Sequence, residues 1–537
     1  MEGGSEEACS GKSPINTYRI NKMVENLLSA LHRYASNRAL CEVRAGQRTD
    51  VMTYGDLNEL SGSIASALRR LPLNRGEAVV LYQTRSAEQV ASAIAVLRAG
   101  GYFCPVDARA PAAYVGSLVA RTKAPMVLVD ERTLGALGRE CALELGSARV
   151  AVVSPTGLAI INGGQARPEV DKRPRTMLDA GCCLFTSGST GVPKGVLIGV
   201  EDLLKRSQTE AVDLSLTSSD VLLGLLPFSF DVGLNQLLAC LLSGAELVIC
   251  HSWFPMDITQ ACEHLGVGGI AAVPAIWTDF LRLKRHSGVT QKLSSLRYVT
   301  VSAGSMAKEE LLQLRALLPR TTGIFRTYGQ TETFRSTILR PSEFDAKMLS
   351  VGRAVQGTEV AVLRESGDLA AAHEVGEIVH SGAGTMLEYL DDERATLEKL
   401  RASAASGGAS KVVRTGDLGF LDEDGFLHIL GRRDRMIKCS GFRVYPSEIE
   451  QVLRAHEAVR DAAVFATSDS RVSQAIVAHL VADGSDRPSV NQLKAFVAQR
   501  LPSYMVPRDI IWVDALPRTL TGKLDYAAIE AQHRATV

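Results

Sequence analysis

What most constrains this chain is an alternation of short, unbroken apolar runs with stretches of helical spacing. The run Ala78–Tyr82 is followed by Ser86, with Gln89 three residues on. That spacing predicts a capped helix start, and the helix is expected to end at Gly100-Gly101. Further apolar runs at 126–129, 182–185, 246–250, 270–273 and 298–301 read as buried strands. Strands apolar on both faces are covered on both faces, and joining them through helices makes neighbours parallel. The pattern predicts an α/β fold: a large N-terminal domain of mixed, largely parallel sheets with flanking helices. With 537 residues the chain has room for more than one domain. A charged turn at 432–435 precedes about a hundred residues of mixed strand and helix, which read as a small α+β C-terminal domain. The expected division is a mobile tail at 1–15, a core domain at 16–433 and the C-terminal domain at 434–537. The segment 403–410, SAASGGAS, reads as a surface loop.

Composition excludes several classes. Lys+Arg and Asp+Glu are both 59, so there is no overall basic field for nucleic acid and no polybasic run for membranes. No apolar run reaches the ~20 residues that span a bilayer. The first residues, MEGGSEEACSGKSP, are polar and acidic, unlike a signal peptide. The ten cysteines are scattered without a CxxC, which fits reduced, structural thiols and a cytoplasmic protein.

Residues 184–196 read LFTSGSTGVPKGV. A strand runs into Thr186, Ser187, Gly188, Ser189 and Thr190, with Lys194 close behind. Small and hydroxylated residues let backbone N–H groups and hydroxyls approach phosphate oxygens, and the lysine adds a cation. This is not the GxxxxGK(S/T) loop of P-loop nucleotidases, because Pro193 and Gly195 stand where glycine and a hydroxyl residue are needed. The string instead resembles the adenylate-forming superfamily of acyl-CoA synthetases, non-ribosomal peptide adenylation domains and luciferases (the ANL fold). Other strings carry the same resemblance: 53–57 TYGDL, 97–107 LRAGGYFCPVD, 328–332 YGQTE, 415–417 TGD, 431–435 GRRDR, 438–450 KCSGFRVYPSEIE and 516–525 LPRTLTGKLD. It spans nearly the whole chain.

The resemblance implies ATP and Mg2+ as cofactors and a C-terminal domain that is mobile. It implies that Thr186–Thr190, Lys194, Thr327, Tyr328, Thr331, Asp417 and Arg432 bind ATP or AMP. Tyr328 would stack on adenine, Asp417 would hold the ribose, and Glu332 would hold the metal. Asp434 would be the hinge, the 438–444 loop would serve a second half-reaction, and Lys523 would bridge substrate carboxylate and α-phosphate. By motif, the acid pocket would include Asp231, Val232, Asn235, Ala272, Val301, Ser302, Ala303, Thr327, Arg335 and Ser336.

In amino-acid adenylation domains an Asp at the place of Asp231 pairs with the substrate ammonium. The alternative is an Asp capping the following helix. Arg335 departs from the usual small or apolar residue. It suggests a second substrate carboxylate, as for an acidic amino acid or a β-amino dicarboxylate. In this the chain resembles the stand-alone ligases for β-amino acids and 3-methylaspartate in macrolactam pathways. A structural Asp231–Arg335 salt bridge is the other reading, and the same strings also resemble AMP-ligases associated with exopolysaccharide export. The chain carries no carrier-domain serine motif and no HHxxxDG, so a free-standing ligase is expected. Its acceptor would be a carrier protein's phosphopantetheine thiol, with coenzyme A as the alternative. A non-enzymatic nucleotide-binding protein is the rival class, and intact Lys523, Glu332 and Asp417 weigh against it.

Overall fold

The computed structural model describes residues 14–71, 73–145, 148–161, 175–186, 193–282, 289–402, 411–439, 442–469, 473–485, 487–519 and 522–536. Nearly all of the expected tail, the loop 403–410, and Ser187, Gly188, Ser189 and Thr190 lie outside them.

Each of the six apolar runs falls on a strand. Ala78–Tyr82 lies between parallel neighbours, Tyr102–Val106 and Met126–Val129, and all five of its residues are buried. That is why it carries no polar alternation. These strands form the middle of an eight-stranded sheet whose outer pairs, including Ala180–Thr186 with Lys194–Gly199, are antiparallel. A nine-stranded sheet repeats the plan. Its parallel centre includes Val221–Gly224, Glu246–Ile249, Gly269–Ala272, Tyr298–Ser302 and Gly323–Tyr328, again with antiparallel edges. Helices cover these sheets, and one apolar core joins strands of both.

A third sheet is antiparallel throughout, built on Thr358–Leu363, Gly376–Gly382, Leu400–Ala402, Lys411–Leu421 and Leu427–Arg432. Thr358–Leu363, Leu400–Ala402 and Leu427–Arg432 are largely half-exposed or exposed, and such strands write no continuous apolar run. The fourth sheet lies C-terminal to Arg435. Ser473–Ala482 pairs antiparallel with Val459–Asp469 and parallel with Asp509–Val513, and helices Pro446–Arg454 and Val490–Ala498 pack on its apolar core. It is the small α+β domain.

Local chemistry sets the helix ends. Ser86 caps helix Ala87–Ala99 by accepting from the Gln89 amide, and Gly100 ends it at φ 85°. The Gln89 side chain does not close a reciprocal box; it donates to the Gln83 carbonyl. In the TYGDL string, Thr53 and Asp56 form a full capping box. The Tyr54 hydroxyl there lies 3.0 and 2.7 Å from the carbonyls of Cys240 and Ala245, tying the helix start to helix Asp231–Ser243 and the turn that follows it.

Candidate active site

Open α/β sheets take ligands outside the carboxyl ends of their parallel strands. At those ends, Ser302 and Thr327 are register partners with hydroxyls 2.8 Å apart. The chain then turns tightly. Ala303 has φ 62° and Phe334 has φ 58°. Each such conformation costs a non-glycine residue about 1–2 kcal/mol. A Cβ at Gly329 would lie 2.7 Å from the Phe334 carbonyl oxygen and 2.8 Å from Arg335 Cα. The fold-back of 329–335 therefore needs glycine there. Strain of this kind gathers at binding sites, and Ala303, Gly329 and Phe334 all line one pocket.

Asp231 is the first residue of helix Asp231–Ser243 and lines the same pocket. The cap position is Phe230, without a side-chain bond, so Asp231 is not the helix cap. Its Oδ1 accepts from the Val232 amide at 2.8 Å and its Oδ2 from the Thr331 hydroxyl at 3.3 Å. Burial holds its carboxyl above the ordinary range, opposed by the Lys523 ammonium. Lys523 reaches the pocket from the far end of the chain, its Nζ 5.2 Å from the centre of the Phe230 ring. Close packing around its loop brings Gly522 against Trp253.

The site continues on the other side of Tyr328. The Tyr328 hydroxyl and the Gln330 amide each donate to Asp417 Oδ2 at 2.6 Å. Arg432 Nη1 is 3.4 Å from Asp417 Oδ1. Burial raises the Asp417 carboxyl, with Arg432 and the hydrogen bonds opposing. Arg432 also reaches Asp434, at 3.3 and 3.4 Å, so one guanidinium joins the TGD aspartate to the expected hinge. Glu332 Oε1 accepts from Tyr389 at 2.5 Å and lies 3.9 Å from Lys399 Nζ. Lys194 Nζ sits 5.0 Å from the centre of the Tyr389 ring, and the Thr186 hydroxyl donates to the Lys194 carbonyl at 3.5 Å. Both contacts of Glu332 fall on one oxygen. A single hard carboxylate fits Mg2+, which draws its remaining ligands from phosphate and water. Among the described residues no cluster of three or more His, Cys, Asp or Glu forms a fuller cage.

The structure thus gathers Asp231, Val232, Asn235, Ser302, Ala303, Thr327, Tyr328, Arg335 and Lys523 around one pocket. Three expectations change. Ala272 and Val301 do not line it; both point into the second apolar core, because alternate residues of a strand face opposite ways. Ser336 also stays outside it, buried and bonded to Thr333 and His380. The Asp231–Arg335 salt bridge does not form: Arg335 pairs with Glu210 at 3.1 Å, both buried. The guanidinium read as the seat of a second substrate carboxylate already has a carboxylate.

Sequence reasoning misses Glu210, Tyr389 and Lys399. Glu210 has a signal, since on helix Val200–Asp213 it follows Leu203 and Ser207 at the spacing of the buried face. Lys399 donates to Gln330 Oε1 at 2.9 Å and the Thr415 carbonyl at 3.0 Å, and burial lowers its ammonium.

Two parallel-centred sheets, a small C-terminal domain and a crevice at the carboxyl ends of the strands are the architecture expected of the ANL fold. The chain belongs to the AMP-binding enzyme family: that family's model matches residues 29–390, and the model for the AMP-binding enzyme C-terminal domain matches 448–523. It is 28% identical over 516 residues to the dimodular nonribosomal peptide synthase of Bacillus subtilis, covering 94% of this chain and 21% of that protein. The chain thus spans about a fifth of that relative's length. It is 26% identical over 492 residues to zwittermicin A synthase ZmaJ of Bacillus cereus, covering 90% of this chain and 91% of ZmaJ. The fold matches ATP-bound MatB from Rhodopseudomonas palustris with a TM-score of 0.80, at 22% identity over 94% of this chain and 99% of that one.

Proposed function

We propose that this chain is a stand-alone adenylation enzyme that activates an amino acid as its aminoacyl-AMP and passes it to the phosphopantetheine thiol of a carrier protein. One observation carries the proposal: the buried carboxylate of Asp231 and the ammonium of Lys523 share one small pocket. A substrate ammonium beside Asp231 supplies the counter-charge that its burial lacks, and Lys523 is left for the substrate carboxylate. The relationship to a zwittermicin A synthase, ZmaJ, and to nonribosomal peptide synthases supports activation of an amino acid.

In the first half-reaction a carboxylate oxygen attacks the α-phosphorus of ATP. An O–P bond forms, and pyrophosphate leaves with the electron pair of the broken P–O bond. Lys523 neutralises charge where carboxylate and α-phosphate meet, and Lys194 lies on the phosphate side. Asp417, held by Tyr328 and Gln330, receives the ribose hydroxyls. Glu332 would hold Mg2+, which when bound supplies charge neutralisation on the phosphates. In the second half-reaction the thiol sulfur attacks the acyl carbon, AMP leaves with the electron pair, and the thiol proton passes to solvent. Residues 434–537 turn about Asp434, withdrawing Lys523 and bringing in the 438–444 loop.

The test is mass spectrometry of the thioester product. The protein is given ATP, Mg2+ and an amino-acid panel with either holo carrier protein or coenzyme A. Loading of the carrier supports the proposal. Product on coenzyme A alone favours an acyl-CoA synthetase.

A further inference from the structure

Beneath the acid pocket lies a buried ion pair that none of the motifs contains in full. Arg335 and Glu210 are 4% and 2% exposed. The two oxygens of Glu210 face donors only: Arg335 Nη2 on Oε1 at 3.1 Å and the Asn235 amide on Oε2. Asn235 is itself held by the Ser207 hydroxyl at 2.9 Å. Both hydrogen bonds to Glu210 favour the carboxylate form, while burial pushes the group above its ordinary range.

Arg335 and Asn235 both line the acid pocket. Arg335 Nη1 is buried and has no hydrogen-bond partner among the described residues. The pocket wall therefore offers a donor whose charge is already balanced from behind. The neighbouring guanidinium, Arg206, is not in an ion pair with Glu210. It donates to the carbonyls of Gln356 and Ala383 and is influenced by Asp202 and Asp213 as well as Glu210.

We propose that Glu210 is a specificity-determining residue acting through Arg335. It makes the polar end of the pocket an electrically neutral donor site. That site selects an acid whose side chain carries an uncharged acceptor (an amide, hydroxyl or keto oxygen) over the matching dicarboxylate. A second substrate carboxylate would bring a third charge to a buried pair that is already neutral, at a desolvation cost that an uncharged group avoids. An uncharged acceptor satisfies Nη1 and adds no charge. The inference rests on the reading of this pocket as the acid site.

The test is ATP–pyrophosphate exchange with carboxylate and amide pairs: aspartate with asparagine, and succinate with succinamate. Wild-type protein is expected to favour the amide member by about tenfold or more in kcat/KM. Glu210→Gln removes the balancing charge and is expected to move that ratio about tenfold toward the carboxylate, whereas Glu210→Asp keeps the wild-type preference. A wild-type enzyme that uses the carboxylate member as well or better overturns the proposal. So does an unmoved ratio in folded Glu210→Gln. Should that variant fail to fold, the wild-type ratio decides. Turnover of the succinate pair alone would count against Asp231 as an ammonium partner, while the same amide-to-carboxylate ratio still decides the role of Glu210.

Discussion

Lys523 and Asp231 meet in one pocket although they come from opposite parts of the chain, Lys523 from the C-terminal domain and Asp231 from the start of a helix beside the nine-stranded sheet. In the proposed reading the pair sets a cation for a substrate carboxylate beside an anion for its ammonium, the arrangement that adenylation would need.

Replacing Lys523 with Ala is therefore expected to reduce adenylation about 100- to 1,000-fold, the cost of losing one preorganised charge-stabilising donor. Transfer from supplied aminoacyl-AMP to the thiol should survive nearly intact, since the proposed rotation would withdraw Lys523 before that step. Single-turnover assays of the two half-reactions check this. Equal loss of both would contradict a role confined to one conformation.

Asp231→Asn should cost about 2–5 kcal/mol in apparent binding of amino acids and little for the same acids lacking the amine. The pH dependence follows from the raised carboxyl. Ammonium binding needs the ionised form, so KM for an amino acid should rise as pH falls through a value above the ordinary carboxylate range. Acids without an amine should lack that limb. Initial-rate pH profiles for a matched pair would show it.

Tyr328→Phe removes one of the two short bonds to the buried Asp417. A hydrogen bond to a charged group contributes about 1.5–3 kcal/mol, so KM for ATP should rise about 10- to 100-fold with the acid's KM little changed. Equal effects on both substrates would argue against a ribose role for Asp417.

Glu332→Gln should raise the Mg2+ concentration for half-maximal exchange about tenfold or more, at saturating ATP, through loss of the one carboxylate donor. A metal titration with unchanged midpoint would remove Glu332 as the metal residue.

Two buried histidines predict an acid-sensitive fold. Burial pulls His380 and His479 down to about 4 from the usual 6.5. The unfolded chain then binds more protons below 6.5, so stability is full above that pH and is lost as pH falls from about 6.5 toward 4. His380, wholly buried between Ser336 and the Ala383 carbonyl, can contribute about 3 kcal/mol to that loss. Tm measured between pH 7.5 and 5 should fall, and His380→Gln should flatten part of the slope.

Legibility follows burial. The two parallel-centred sheets are readable because strands such as Ala78–Tyr82 are covered on both faces. The antiparallel sheet around Asp417 is not, because Thr358–Leu363 is largely half-exposed and mixes polar with apolar residues. The residues expected to hold nucleotide stand out through strings of sharply restricted composition. Glu210 and Lys399 are not, since each acts through tertiary contacts and a charged residue on a helix is ordinarily solvated. Arg335 stands out as unusual in the sequence, but its partner sits on a helix far away along the chain, and spacing alone does not supply it.

The most direct test of adenylate formation is exchange of labelled pyrophosphate into ATP, run over α-, β- and dicarboxylic amino acids and simple acids. The account predicts exchange that depends on one class of small amino acid and vanishes in Lys523→Ala. Exchange absent across the whole panel from folded, ATP-binding protein would contradict it and leave a nucleotide-binding protein without this chemistry.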